Sequence, residues 1–188
     1  MLAELVRKTR SIRRFDQSRR ISRETLRELV DLARITASGS NKQPLKYMLF
    51  DDSADTDRIF PLTAWAGYLP DWPGPEEGER PAAYILILLD KEISETVDCD
   101  HGIAAQTIAL AAMEKGIGTC MIGSIKRVPL RREFAIPDRY EIKLILALGY
   151  PVETVVLDEI KDGDVKYWRD ENRVHHVPKR SLDEVIIN

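Results

Sequence analysis

Apolar positions first recur as Leu2, Leu5 and Val6 on one face of "LAELVRK", the pattern of a short helix. A second helix start is signalled at Ser22, where Ile21 before the cap and Leu26 beyond it can close a hydrophobic staple. Leu26, Leu29, Val30 and Ala33 then keep the i, i+3, i+4, i+7 spacing of a half-buried helix. "ASGSNKQP" (37–44) breaks that spacing with turn-forming residues. "LKYMLF" (45–50) alternates as a strand does, and "AAYILILLD" (82–90) is apolar without interruption, as expected of a strand covered on both faces. Between them, residues 60–81 hold five prolines and two tryptophans, which predicts a long irregular segment walling or covering a pocket. The longest helix is predicted over 97–115. It is apolar on nearly every side and must be buried in the core or against another subunit, with Gly116 at its C′ position. "EIKLILALG" (141–149) reads as a third strand, and the tail from 163 is polar until a short apolar helix or strand closes the chain. Helices with strands far apart in sequence predict an α+β domain spanning 1–188, with a small central sheet flanked by helices.

Composition narrows the class. The chain has 188 residues, 44% hydrophobic and 31% charged, enough to bury a core and unlike a disordered segment. No apolar run approaches the ~18–20 residues of a membrane span, and the opening residues lack the apolar stretch of a signal peptide, so a cytoplasmic protein without a membrane partner is expected. Cys99 and Cys120 are too few for a disulfide framework. The net charge is −3, but residues 1–23 hold eight Lys or Arg against two acids. A pI near 5.7 argues against a general nucleic-acid binder, so the basic charge is local.

That basic segment, "TRSIRRFDQSRRIS" (9–22), admits three readings: a solvated charged face, a nucleic-acid arm or a phosphate site. Ile12 and Phe15 interleave with the cations, so they can pin the segment to the core while Arg10, Ser11 and Arg13 face a ligand. Guanidinium forks grip phosphate in pairs of hydrogen bonds, and a serine hydroxyl adds a neutral donor.

"TRSIRRF" (9–15) resembles the opening flavin-binding motif of the FMN-dependent nitroreductase family. "ITASGSNKQPLKY" (35–47) is similar to the family's second motif, and "EKGIGTCMIGS", "FAIPDRYEIKLILALGYP" and "VPKRSLDEV" to its third, fourth and fifth, in the family's order over residues 5–186. Thr9 stands where the family often has a further Arg, Ala37 where it has Pro, and Leu45 where it has Trp. The resemblance implies a nitroreductase-like homodimer with FMN at the subunit interface. It implies that Arg10, Ser11 and Arg13 line the phosphate, ribityl chain and pyrimidine edge, and that Lys179 or Arg180 closes on the phosphate. Which of Arg10 and Lys179 dominates there stays open. It further implies that Ser38, Gly39, Asn41 and Gln43 reach the flavin from the partner subunit, and that Ile122, Gly123 and Ser124 supply backbone near N5. The implied activity is ping-pong transfer of hydride from NAD(P)H, through FMN, to a nitro compound, quinone or similar small acceptor. Reductive dehalogenation, flavin fragmentation or a flavin-binding regulator with little turnover are the alternatives.

No side chain need act as acid or base in such chemistry, so none is assigned as catalytic. Trp65, Tyr68 and Trp72 are candidate substrate-facing aromatics, or else anchors of the 60–81 loop. "VDCDH" (97–101) could suggest a metal, yet no second ligand cluster accompanies it, so helix capping by Asp98 or Asp100 is expected and no metal. The glycines of "GIGTCMIG" do not fit G-x-G-x-x-G and follow a helix, which rejects a Rossmann site.

Overall fold

The computed structural model describes residues 1–188. Its elements in chain order are α1 (Leu2–Lys8), β1 (Phe15–Asp16), α2 (Arg23–Arg34), β2 (Leu45–Phe50), α3 (Ser53–Ile59), β3 (Ala83–Asp90), α4 (Asp100–Glu114) and β4 (Gly118–Ile122). They continue with α5 (Arg127–Glu133), β5 (Tyr140–Pro151), β6 (Val155–Glu159), β7 (Trp168–Arg169), β8 (His175–Lys179) and α6 (Leu182–Val185). A five-stranded sheet runs β1-β5-β3-β2, with β4 also on β5. All its pairings are antiparallel. β5 is long enough to carry β4 and then β1 along one edge while β3 takes the other. The α+β expectation holds, with helices on a small antiparallel sheet.

The uninterrupted apolar run of β3 has a simple cause: strand side chains alternate, and both faces are covered. Tyr84, Leu86 and Leu88 enter one core with Ile12, Phe15 and Trp65. Ile85 and Ile87 enter the other with Leu26 and Leu29 of α2 and Ala104, Ala105 and Ile108 of α4. α2 begins as its sequence signals, with Ser22 Oγ accepting from the Thr25 amide at 3.1 Å and Ile21 and Leu26 buried together. α4 ends as predicted. Gly116 sits at φ +74°, its amide donates to the Met113 carbonyl, and the Ile117 amide donates to the Ala112 carbonyl, the two bonds of a Schellman motif.

Several expectations need correction. α4 starts at Asp100 rather than 97, with Cys99 at the N-cap and no side-chain cap bond, so neither Asp98 nor Asp100 caps it. The Asp100 carboxylate instead reaches back to the 38–39 loop. β4, α3 and α5 were not foreseen. The chain does close on a short helix, α6, but the polar stretch before it is not featureless: β6, β8 and β7 form a second, three-stranded sheet. No helix is long and apolar enough to cross a membrane.

Candidate functional site

The N-terminal segment reaches the site by lying flat on the main sheet. The Ile12 amide donates to the Thr119 carbonyl of β4, and the Phe15 amide to that of Glu79. Two glycines make room beneath it. A Cβ on Gly118 would stand 2.8 Å from Ile12 and Pro151, and one on Gly149 would stand 2.7 Å from the Phe15 ring. With Ile12 and Phe15 buried, the alternate residues Arg10, Ser11 and Arg13 turn to a cleft of about 360 Å³, which Lys179 of β8 and Gln106 of α4 also line. Arg14 turns the other way and is buried, its guanidinium bound through two nitrogens to the Glu79 carboxylate.

None of Arg10, Arg13 and Lys179 has a carboxylate within ion-pair distance. Arg10 donates to the Val6 carbonyl at the end of α1, while its buried Nε has no partner. Thr9, the departure from the family pattern, is buried, and its hydroxyl donates to the Leu5 carbonyl at 2.8 Å. Arg13 is steered from three sides. Its backbone amide donates to Glu153, its Nη1 lies 3.1 Å from His175 Nε2, and its guanidinium lies over the Tyr167 ring at 4.8 Å. His175 is wholly buried. That burial, reinforced by the charges of Arg13 and Arg169, pushes its imidazolium pKa down to about 4. His175 is therefore neutral near pH 7 and Nε2 is the acceptor, because a guanidinium can only donate. Glu153 spends its other oxygen on Arg169 Nη2 at 3.1 Å.

A second hollow of about 210 Å³ continues the cleft, sharing Arg13, Met121 and Tyr167 with it. Ile122, Gly123, Ser124 and Trp65 line it. The 60–66 stretch is laced to this turn: the Ala64 amide donates to the Ser124 carbonyl and the Lys126 amide to that of Leu62. An added Cβ at Gly123 would meet nothing within 4 Å, so the backbone there is open to a flat ligand. Cys120 also lines this end, where burial pushes its thiol up to about 11 and keeps it protonated. The combined cleft gathers its cations at one end and is bordered at the other by the glycine turn, Trp65 and Cys120, with Arg13 and Tyr167 between.

The structure does not bring all predicted residues here. Arg180 is exposed and bound to Glu184 at 3.2 Å, outside both hollows. Arg180 lies just past the end of β8 and turns to the Glu184 carboxylate of α6 instead. Trp72 packs against the core under the Arg169 guanidinium at 4.0 Å, which makes it a loop anchor. Trp65 is both anchor and wall: it is buried, and its Nε1 donates to Thr63 Oγ1 at 3.1 Å. Tyr68 stays half exposed against Tyr167, their ring centres 5.0 Å apart. Ser38 and Gln43 line a separate hollow with Asp100, and neither they nor Gly39 and Asn41 line the cationic cleft of their own chain. Ser38 Oγ donates to Asp100 at 2.6 Å, the Gly39 amide donates to the same carboxylate at 3.0 Å, and Asp100 is held below the usual carboxylate range chiefly by the serine. Sequence reasoning missed Tyr167, which lines the cleft, and His175, which braces Arg13 from beneath it. The aromatic pair "YW" at 167–168 stands out in an otherwise polar tail, but nothing near it in sequence says where it folds.

Known proteins share this fold. A Bacillus subtilis protein named "Putative NAD(P)H nitroreductase YodC" is 24% identical, covering 76% of this chain and 86% of its own length. A solved nitroreductase family protein from Clostridium difficile is 25% identical with a TM-score of 0.64, covering 81% of this chain and 85% of that one. A Desulfovibrio desulfuricans structure, described as a putative nitroreductase in complex with FMN, superposes with a TM-score of 0.71 at 24% identity, covering 100% of this chain and 95% of that one. The nitroreductase family model matches residues 6–150, well over half the sequence. The chain belongs to the nitroreductase family.

Proposed function

We propose that the protein is an FMN-dependent oxidoreductase that passes reducing equivalents from NAD(P)H to a nitro compound, quinone or similar small acceptor. The carrying observation is the cleft in which three cations without carboxylate partners converge beside an open glycine backbone. An anionic phosphate joined to a flat ring fits that arrangement, and the orphaned Nε of Arg10 is a donor awaiting an acceptor. Arg10, Ser11, Arg13 and Lys179 would hold the phosphate, ribityl and pyrimidine edge, while Ile122, Gly123 and Ser124 would border the ring. The bound cofactor supplies hydride and electron transfer. The chain's own task is to bind, orient and keep water from the ring, and to hold positive charge where negative charge develops on reduction. The FMN complex of the Desulfovibrio neighbour and the NAD(P)H in the name of the Bacillus relative support this reading.

A homodimer belongs to the same proposal. Ser38, Gly39, Asn41 and Gln43 can serve a flavin site only on a second copy, and Ser40, Asn41 and Gln43 hold left-handed backbone at φ 51°, 54° and 50°. Such strain is stored where surrounding structure or function demands it. α4 also leaves Ile103, Leu110 and Met113 only partly covered in one chain. The test is the spectrum of the purified or FMN-reconstituted protein under anaerobic conditions. Flavin absorbance should bleach on adding NADH or NADPH and return with a quinone. A flavin that neither nucleotide bleaches overturns the oxidoreductase reading.

A further inference from the structure

Tyr167 lies in the polar tail, outside the family-matched residues 6–150. It nevertheless borders both the cationic end of the cleft and the hollow beside the Gly123 turn. Its ring is held on three sides: by the Arg13 guanidinium at 4.8 Å, by His175 at 5.2 Å and by Tyr68 at 5.0 Å. Its hydroxyl accepts from the Tyr68 amide at 3.3 Å, tying the tail to the 60–81 segment. Held aromatic rings at the edge of a hollow recognise flat π-systems at little cost in conformational freedom.

We propose that Tyr167 is a specificity-determining residue whose ring, braced by Tyr68, is the wall against which flat aromatic electron acceptors dock. This rests on the oxidoreductase reading above. Arg13 draws electron density from one side of the ring while Tyr68 and His175 fix its tilt, so the remaining surface presents a fixed aromatic plane. Acceptors without an aromatic or quinonoid plane gain nothing from that wall. The hydroxyl serves the brace rather than the acceptor, so the ring alone carries the selectivity.

The experiment compares the FMN-loaded parent with Tyr167→Ala and Tyr167→Phe. Readouts are KM for nitrobenzene and for benzoquinone, KM for ferricyanide, the rate of flavin bleaching by NADH, and the equilibrium affinity for benzamide followed in the flavin spectrum. Benzamide is a flat, uncharged probe that accepts no electrons. Tyr167→Ala should raise KM for both aromatic-type acceptors and the benzamide Kd about three- to tenfold, the scale of one aromatic contact, while KM for ferricyanide stays within about twofold; bleaching by NADH is measured to show that the variant still holds a reducible flavin. Tyr167→Phe should match the parent within about twofold throughout, because it keeps the ring. Parental benzamide affinity in Tyr167→Ala, or an equal change for ferricyanide, overturns the assignment. So does flavin loss with unchanged discrimination, which would make the ring part of the cofactor's wall. A parent that bleaches normally beside a Tyr167→Ala whose discrimination is unchanged removes this assignment alone. A parent that never bleaches removes the oxidoreductase reading and this assignment together.

Discussion

The two sheets of this molecule are held by different physics. In the main sheet every residue of β3 is buried, and its pairings to β2 and β5 run nearly its full length. In the tail sheet only His175 is fully buried, and charge and stacking supply cohesion. Arg169 is paired to the covered Glu153, His176 lies 2.8 Å from Asp158 and stacks on Trp168 at 3.9 Å, and Arg173 reaches Glu79 at 3.5 Å. Apolar burial tolerates salt and mild acid, whereas ion pairs and buried histidines do not. The cleft draws on both regions. Main-sheet packing aims Arg10, Ser11 and Arg13, while the tail contributes Lys179, Tyr167 and the His175 brace. The site should therefore be lost by disturbing the tail under conditions that leave the fold intact.

The sharpest break in this comparison is Leu86→Ala. Leu86 is fully buried in β3, and its truncation should lower global stability by about 2–5 kcal/mol in urea denaturation, with the whole chain unfolding earlier. Glu153→Gln probes the other region. It removes the charge that pairs with Arg169 and weakens the acceptor of the Arg13 amide, at a cost of about 1.5–3 kcal/mol. Here hydrogen exchange should quicken in 155–179 while 83–90 stays protected. Uniform loss of protection would show that the two sheets melt as one unit.

Arg13→Ala should leave both sheets folded and weaken FMN retention about ten- to a hundredfold, the worth of charge-assisted bonds to a phosphate or flavin edge. A variant as yellow as the parent after dialysis would remove Arg13 from the site. The mildest effect concerns pH. The folded-state pKa of His175 lies at about 4, below its ordinary 6.5, so the unfolded tail binds the proton first as pH falls. Tail stability should be flat above the ordinary histidine pKa and fall steadily from there toward the folded value. Hydrogen exchange of 155–179 against pH measures this, and His175→Gln should flatten the slope.

Elements set by local pattern were legible in the sequence. Ser22 with Ile21 and Leu26 announces α2, and the unbroken apolar run announces β3, because period and capping chemistry are written within a dozen residues. β4 was not, since "GTCMI" is short and its place depends on Gly118 fitting beneath Ile12 and Pro151. α5 buries only Leu130, too little for a visible period. The tail sheet is fixed by partners far along the chain: Glu153 with Arg169 and with the Arg13 amide, and Arg173 with Glu79. In the cleft, Arg10, Ser11 and Arg13 could be read from their alternation with Ile12 and Phe15. Tyr167 could not, because nothing local to a polar tail says that it folds back onto Arg13.

The central claim is that the cationic end of the cleft holds a phosphate, and titrating the apoprotein in parallel with FMN and with riboflavin tests it directly. The two ligands share a ring and differ in the phosphate. FMN should bind far more tightly, with the gap narrowing as salt screens Arg10, Arg13 and Lys179. Equal affinities at low salt, or no binding of either ligand, would contradict the account.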